Sequence, residues 1–472
     1  MLQLSQASSL TRGVIIFGLF SVVLTFFAWS NPSYVDTSSY FSGSSATTTS
    51  KQSEFAVQGC SPEDWAGGSW QEKSHPVVVH TPDDAFPASG FLGCASNREV
   101  EWHLSRDHPE YNDWRGNVSR WDWQGAGRCS ADVPNDRETM VIDLVENGGW
   151  LLIGDSVTEE HFFSVSCTLY PHVIATPDYT GRYDWDRAWP QNLYLNPNSP
   201  LVSRIEFPEG FDMKKTPLVT FRRVDLLFNR TEIASIHYGG RTPPANDSLF
   251  GSEASWDMSP VDYFAIFLSP APFNYHTLIV STGGHWSEKL FSGIAPPAPK
   301  LNNTNSTSSE EDEHPRLPLI ANLFRATMDN WSYQAGRYLD SPEGKRRPRE
   351  VIVRPYLPGD DNCHSAETLS GGPQSEPKKL GKWTSYNWAW IPKFNDRFES
   401  AVSARRHPNV HYLPIERPGR LRPDAHALSD CLHLTVGAGV IEGWTQYIHY
   451  YTSAYLPLVR RGQRFAISRI PL

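Results

Sequence analysis

The sequence predicts an α/β body built on a central, mainly parallel sheet with helices on both faces. Two observations carry that expectation. Short apolar runs recur at 150–154, 276–286, 350–357 and 409–415, and the stretches between them are long enough for crossovers rather than tight hairpins. The first run also opens directly into Gly154-Asp155-Ser156 and a patterned segment, the order of a buried strand, a sharp turn and a helix.

The elements follow in chain order. Residues 13–29 (GVIIFGLFSVVLTFFAW) are an uncharged run of 17, at the lower limit for crossing a bilayer as a helix. Arg12 is the only Lys or Arg before that run, and the next positive charge is Lys51. The positive-inside bias therefore leaves residues 1–12 cytosolic and sends the rest across the membrane. A cleaved signal peptide is the competing reading; the length of the run favours an uncleaved anchor. Residues 30–58 are Ser/Thr-rich with few apolar side chains, and read as a flexible stem. Globular sequence runs from 59 to 472, and its opening part, 59–137, is rich in Trp and Cys and poor in periodicity. From there MVIDLV (140–145) and WLLIG (150–154) flank Asn147-Gly148-Gly149, and the second is a buried strand. Residues 157–170 read as a helix with Phe162, Phe163 and Val165 on its apolar face. The last helix is expected at about 439–458. The stretches 296–316 and 358–381 read as surface insertions, and the basic 344–349 (GKRRPR) as a solvated loop.

Composition narrows the function. Apolar residues at 39% and charged ones at 20% describe a globular chain. A net charge of −10 with no basic stripe argues against a nucleic-acid partner. The 17 Trp suit stacking on sugar rings or, equally, a Trp-rich core. Six cysteines without close C-x-x-C pairs suggest disulfides formed in an oxidising compartment. Six N-x-S/T sequons, at Asn117, Asn229, Asn246, Asn302, Asn305 and Asn330, fit a lumenal glycoprotein. His161, His364 and His426 lack metal-ligand spacing, so no metal site is proposed.

A serine needs a base within hydrogen-bond reach and a group to orient that base. The segment SDCLHLTVGAG supplies both, with Asp430 and His433 three residues apart, a spacing that presents two side chains to one side of a helical turn. Asp430 would fix the imidazole tautomer and His433 would take the Ser156 proton. Glu159 and Glu160 read either as part of the site or as first-turn acids favoured by the helix dipole.

Six ordered blocks within about 59–458 resemble the plant trichome-birefringence-like polysaccharide O-acetyltransferases, of the PC-esterase group of SGNH-fold enzymes. They are CSPEDWAGGSW, WDWQGAGRC, LLIGDSVTEEHFFSVSC, LIVSTGGHW, VIVRPYLPGDDNCH and RPDAHALSDCLHLTVGAGVIEGWTQYI. The resemblance implies a three-layer SGNH-type fold, with Ser156 as nucleophile, His433 as base and Asp430 as its orienter. It also implies the Ser156 N–H as oxyanion donor, and disulfides Cys60–Cys129, Cys94–Cys167 and Cys363–Cys431. Gly154, Asp155, Gly284, His285, Trp286 and Arg354 are further oxyanion or substrate candidates. This chain has Glu159-Glu160 where the plant enzymes carry Arg-Asn, Ser281 where they carry Asn, and Leu434-Thr435 where they carry Trp-Cys. The expectation is a single-pass, membrane-anchored Golgi enzyme, secreted if the N-terminal segment is cleaved. It would move an acetyl group from a donor, such as acetyl-CoA or an acetylated intermediate handed over by a membrane supplier, to a hydroxyl of a polysaccharide or other glycan, with no bound cofactor. An acetylesterase of the same fold and a catalytically silent glycan-binding protein are the alternatives.

Overall fold

A computed structural model describes residues 59–129, 133, 136–182, 184–242, 248–295, 314–361, 363, 365, 372–374, 386–428 and 430–467. The anchor and stem expected at 13–58, the sequons Asn246, Asn302 and Asn305, His364, most of the 296–316 insertion and more than half of the 358–381 insertion lie outside these residues. Among the described residues no helix is long and apolar enough to cross a membrane.

Seven strands form the central sheet: β3 (Gly149–Gly154), β4 (Val173–Thr176), β5 (Gln191–Leu195), β6 (Val219–Arg223), β7 (Tyr275–Val280), β8 (Glu350–Val353) and β9 (Val410–Tyr412). Their order is β4-β5-β6-β3-β7-β8-β9. β6, β3, β7, β8 and β9 run parallel, while at one edge β5 pairs antiparallel to β6 and β4 antiparallel to β5. Strand β3 sits in the middle, and all six of its residues are buried, as its unbroken apolar run requires. A two-stranded antiparallel ribbon, β1 (Ser69–Glu72) with β2 (Trp121–Gln124), lies outside the sheet.

Helices cover both faces. The chain steps in one direction from β6 to β7, β8 and β9, so right-handed crossovers place α3 (Arg230–His237), α4 (Pro260–Leu268), α5 (Leu317–Leu339) and α6 (Ile391–Arg405) on one side. On the other side α2 (Ser156–Thr168) packs on β3 and β6 and against α7 (Val440–Tyr450), and His449 of α7 is hydrogen-bonded to Asp143 of α1 (Arg137–Glu146). The result is the predicted α/β architecture in three layers.

Several expectations change in detail. The run 276–286 is strand only to Val280, because Gly283 and Gly284 turn the chain against Tyr356. The 350–357 run is strand only to Val353. The basic 344–349 segment is not simply solvated. Arg349 is buried and donates to the Tyr275 and Glu343 carbonyls, and Arg347 is bonded to Asn274. The final helix extends from Val440 through a wider turn at Tyr451–Tyr455 into Leu456–Ile467. The 23-residue α5 has Ile320, Phe324, Thr327, Met328, Trp331 and Ala335 buried along one stripe, a 3.6-residue pattern that the sequence carried unread.

All three disulfides are present: Cys60–Cys129, Cys94–Cys167 and Cys363–Cys431. They fit a lumenal or secreted location. Asn330 is exposed on α5, whereas Asn117 and Asn229 are half-buried. The Oδ1 of Asn229 caps α3 by accepting the Glu232 N–H at 2.8 Å.

Candidate active site

The site lies at the carboxyl ends of the parallel strands, beside the central strand where the chain order reverses, the place where open α/β sheets bind ligands. Strand β3 ends at Gly154. A Cβ there would stand 2.2 Å from Thr158 Oγ1 and 2.7 Å from the Ser281 carbonyl, so only glycine lets the turn close. Asp155 is the N-cap of α2, its carboxylate accepting the Val157 N–H at 3.0 Å. Ser156 is then the first helical residue. Its own N–H lies in the first turn, where amides have no intrahelical acceptor, which leaves it available to an oxyanion.

Ser156 Oγ is 2.8 Å from His433 Nε2, and His433 Nδ1 is 2.8 Å from Asp430 Oδ2. The segment carrying the last two is not the expected helical turn. It is a tight loop closed by a bridge between His426 and Leu434 and by the Ala427 N–H to His433 carbonyl bond at 2.8 Å. Asp430 builds that loop itself, its Oδ1 accepting the N–H groups of Leu432 and His433 at 2.8 Å each. One carboxylate therefore fixes both the ring and the backbone that bears it. Cys431, inside the loop, is tied to Cys363.

Burial raises the Asp430 pKa, but the hydrogen bonds and charge of His433 prevail and hold the carboxyl well below the usual range. For His433, burial disfavours the cation; the hydrogen bond to Asp430 and the carboxylates of Glu160, Asp430 and Asp155 outweigh it, so the imidazole pKa is raised. That is the direction a catalytic base requires. Trp102 stands edge-on to the imidazole, with ring centroids 5.0 Å apart.

The triad opens into a cleft of about 520 Å³, lined among others by Trp102, Arg187, Arg223, His285, Tyr356 and Tyr386. Gly284 also lines it; a Cβ there would come within 2.5 Å of the Tyr356 hydroxyl. His285 lies between two acids, 3.8 Å from Asp225 and 3.8 Å from Glu253. Glu159 contacts Arg98 and Gln191 and lies 3.7 Å from Arg187 and 3.8 Å from Arg223. Trp185 stacks under Arg98 and Arg187, and Trp256 under Arg223. Neither glutamate is a solvated first-turn acid: Glu159 is 4% and Glu160 0% exposed.

Four candidates stand away from the cleft. Trp286 is fully buried, donating to Thr282 Oγ1 and stacked on Phe291, and it belongs to the core. Arg354 is buried over the Trp444 ring with a bond to Thr158, supporting the turn from beneath. Gly154 and the 0%-exposed Asp155 likewise shape the turn and do not line the cleft. Arg98, Trp102, Arg187, Arg223 and Tyr356 had no local signal in the sequence: Arg223 and Tyr356 reach the site through the order of the strands, and the others on segments outside the strands that pack over it. Among the described residues no group of three or more His, Cys, Asp or Glu could hold a metal ion.

No protein-family model and no curated protein matches the chain.

Proposed function

We propose that the chain is a serine-dependent acyl-transferring enzyme of the PC-esterase type, an O-acetyltransferase acting on a glycan in the Golgi lumen. The observation that carries this reading is the continuous Ser156–His433–Asp430 hydrogen-bond chain at the mouth of the central strand. In acylation, Ser156 Oγ attacks the carbonyl of an acetyl ester or thioester as its proton passes to His433 Nε2, and the proton then leaves with the departing alcohol or thiol. The Ser156 N–H faces the developing oxyanion. In the second half, a sugar hydroxyl gives its proton to Nε2 and attacks the acetyl carbon. The Oγ–acetyl bond breaks and the proton returns to Ser156. Trp102 and Tyr386 supply aromatic surface for a sugar ring, and the disulfides fit the lumenal setting.

Intact-mass analysis of the chain after incubation with acetyl-CoA or an aryl acetate tests the proposal. One acetyl group is expected on Ser156, passed on to added glycan, and none on Ser156→Ala. Release of acetate with no gain on the glycan would instead select a hydrolase using the same triad. Failure of Ser156 to react with acetyl donors or a serine-directed phosphonate would refute catalysis by this triad.

A further inference from the structure

The nucleophile helix carries a second carboxyl group that the triad mechanism does not use. Glu160 lies four residues after Ser156, hence on the same side of α2, and is fully buried. Its Oε2 accepts the N–H of Leu434 at 2.9 Å, the peptide that immediately follows the catalytic imidazole. Its Oε1 has no hydrogen-bond partner among the described residues. Nothing in secondary structure calls for a carboxyl here, because any small polar group could cap one amide.

We propose that Glu160 is a positioning residue for His433, pinning the Leu434 peptide to the nucleophile helix, with its own proton coupled to that of the imidazole. The inference rests on the triad reading, and it assigns to Glu160 a role in the same proton transfer. Asp430 holds the ring from the Nδ1 side through the loop; Glu160 holds the loop's far end from the helix.

The surroundings decide how Glu160 behaves. His103 Nδ1 is 3.9 Å from Oε1, and its ring is stacked on Phe163. Burial lowers the His103 pKa well below the histidine range, with Arg98 and His433 adding to the effect, so His103 supplies no cation. Asp430 and Glu442 press on Glu160 as like charges, and burial is the largest influence of all; together they push its pKa up to about 8. His433 opposes them, as does the Leu434 N–H. Arg354, also buried, responds to the Glu160 charge from the end of β8. Glu160 and His433 therefore titrate as a coupled pair: a proton on the imidazole favours loss of the proton from Glu160, and the reverse.

The test follows the His433 ring by NMR against pH in the native chain and in Glu160→Gln, which keeps an acceptor for Leu434 but carries no charge. The native His433 shift curve should carry a second inflection near pH 8, where Glu160 ionises, and the Gln variant should lack it while its melting temperature stays close to native. Glu160→Asp, which keeps a titrating carboxyl but shortens the reach to Leu434, should retain the inflection and label with phosphonate more slowly. Superimposable titrations of native and Gln chains, or a single-step native curve, would overturn the inference. Because the ring titration needs no turnover, an unlabelled Ser156 would count against the acyl-enzyme reading and leave this one standing.

Discussion

Replacing Asp430 by Asn removes a charge while leaving a side chain of nearly the same shape. The Asn Oδ1 can still accept the Leu432 and His433 N–H groups that Asp430 accepts at 2.8 Å, so the loop should keep its form and the melting temperature should change little. What changes is the bond to His433 Nδ1. A hydrogen bond to a charged partner contributes about 1.5–3 kcal/mol, and the Asn amide N–H turned toward Nδ1 would move the ring proton to Nε2, where Ser156 needs an acceptor. Together these cost about 4 kcal/mol, or roughly 10³-fold in rate at ~1.36 kcal/mol per decade. Phosphonate labelling of Ser156 measures this without knowledge of the natural acyl donor. The pH dependence gives a second reading with a definite sign. Only neutral His433 can act as base, and its pKa is raised chiefly through Asp430 against the pull of burial. Labelling of the native chain should therefore rise through a midpoint above the ordinary histidine value of about 6.5, and that midpoint should move to lower pH in the variant. Labelling of Asp430→Asn within about threefold of native, with an unmoved acid limb, would refute the assignment of Asp430.

Two more perturbations test the frame. Serine at both Cys363 and Cys431 opens a loop whose ends are 68 residues apart; the chain-entropy relation gives about 4 kcal/mol, so denaturant unfolding should move to markedly lower concentration and labelling should slow as the Asp430–His433 loop loosens. Trp286→Ala empties a fully buried site between Phe291 and Phe324 and should cost about 3–5 kcal/mol, while the rate constant for labelling of the folded fraction stays near native; a selective loss of reactivity would return Trp286 to the cleft.

The legible parts of the sequence were those in which physics acts locally. The apolar run into Gly154 marks a strand buried on both faces, and Asp155 ahead of a patterned stretch marks a helix start, so β3, the turn and α2 could be read. Asp430 and His433 were legible as a pair because three residues separate them. Their contact with Ser156 spans 277 positions, and the two ends were linked only by what a serine nucleophile needs and by the likeness of ordered blocks. The edge strands β4 and β5 escaped notice because they are short and alternate in burial. The roles of Glu159 and Glu160 could not be read, because an acid in a first helical turn looks the same whether water or a second layer of protein covers it. Here α7 and the segment around His103 provide the cover.

The opening stretch has its own consequence for how the chain matures. The Cys60 N–H bonds to the Tyr450 hydroxyl, the Tyr447 hydroxyl bonds to the Cys60 carbonyl, and the Trp70 indole bonds to the Pro418 carbonyl. Residues that leave the ribosome early thus have no seat until nearly the whole polypeptide has been made. A nascent chain stopped short of about residue 450 would carry a Trp-rich leading segment with nowhere to dock, a form for lumenal chaperones to retain.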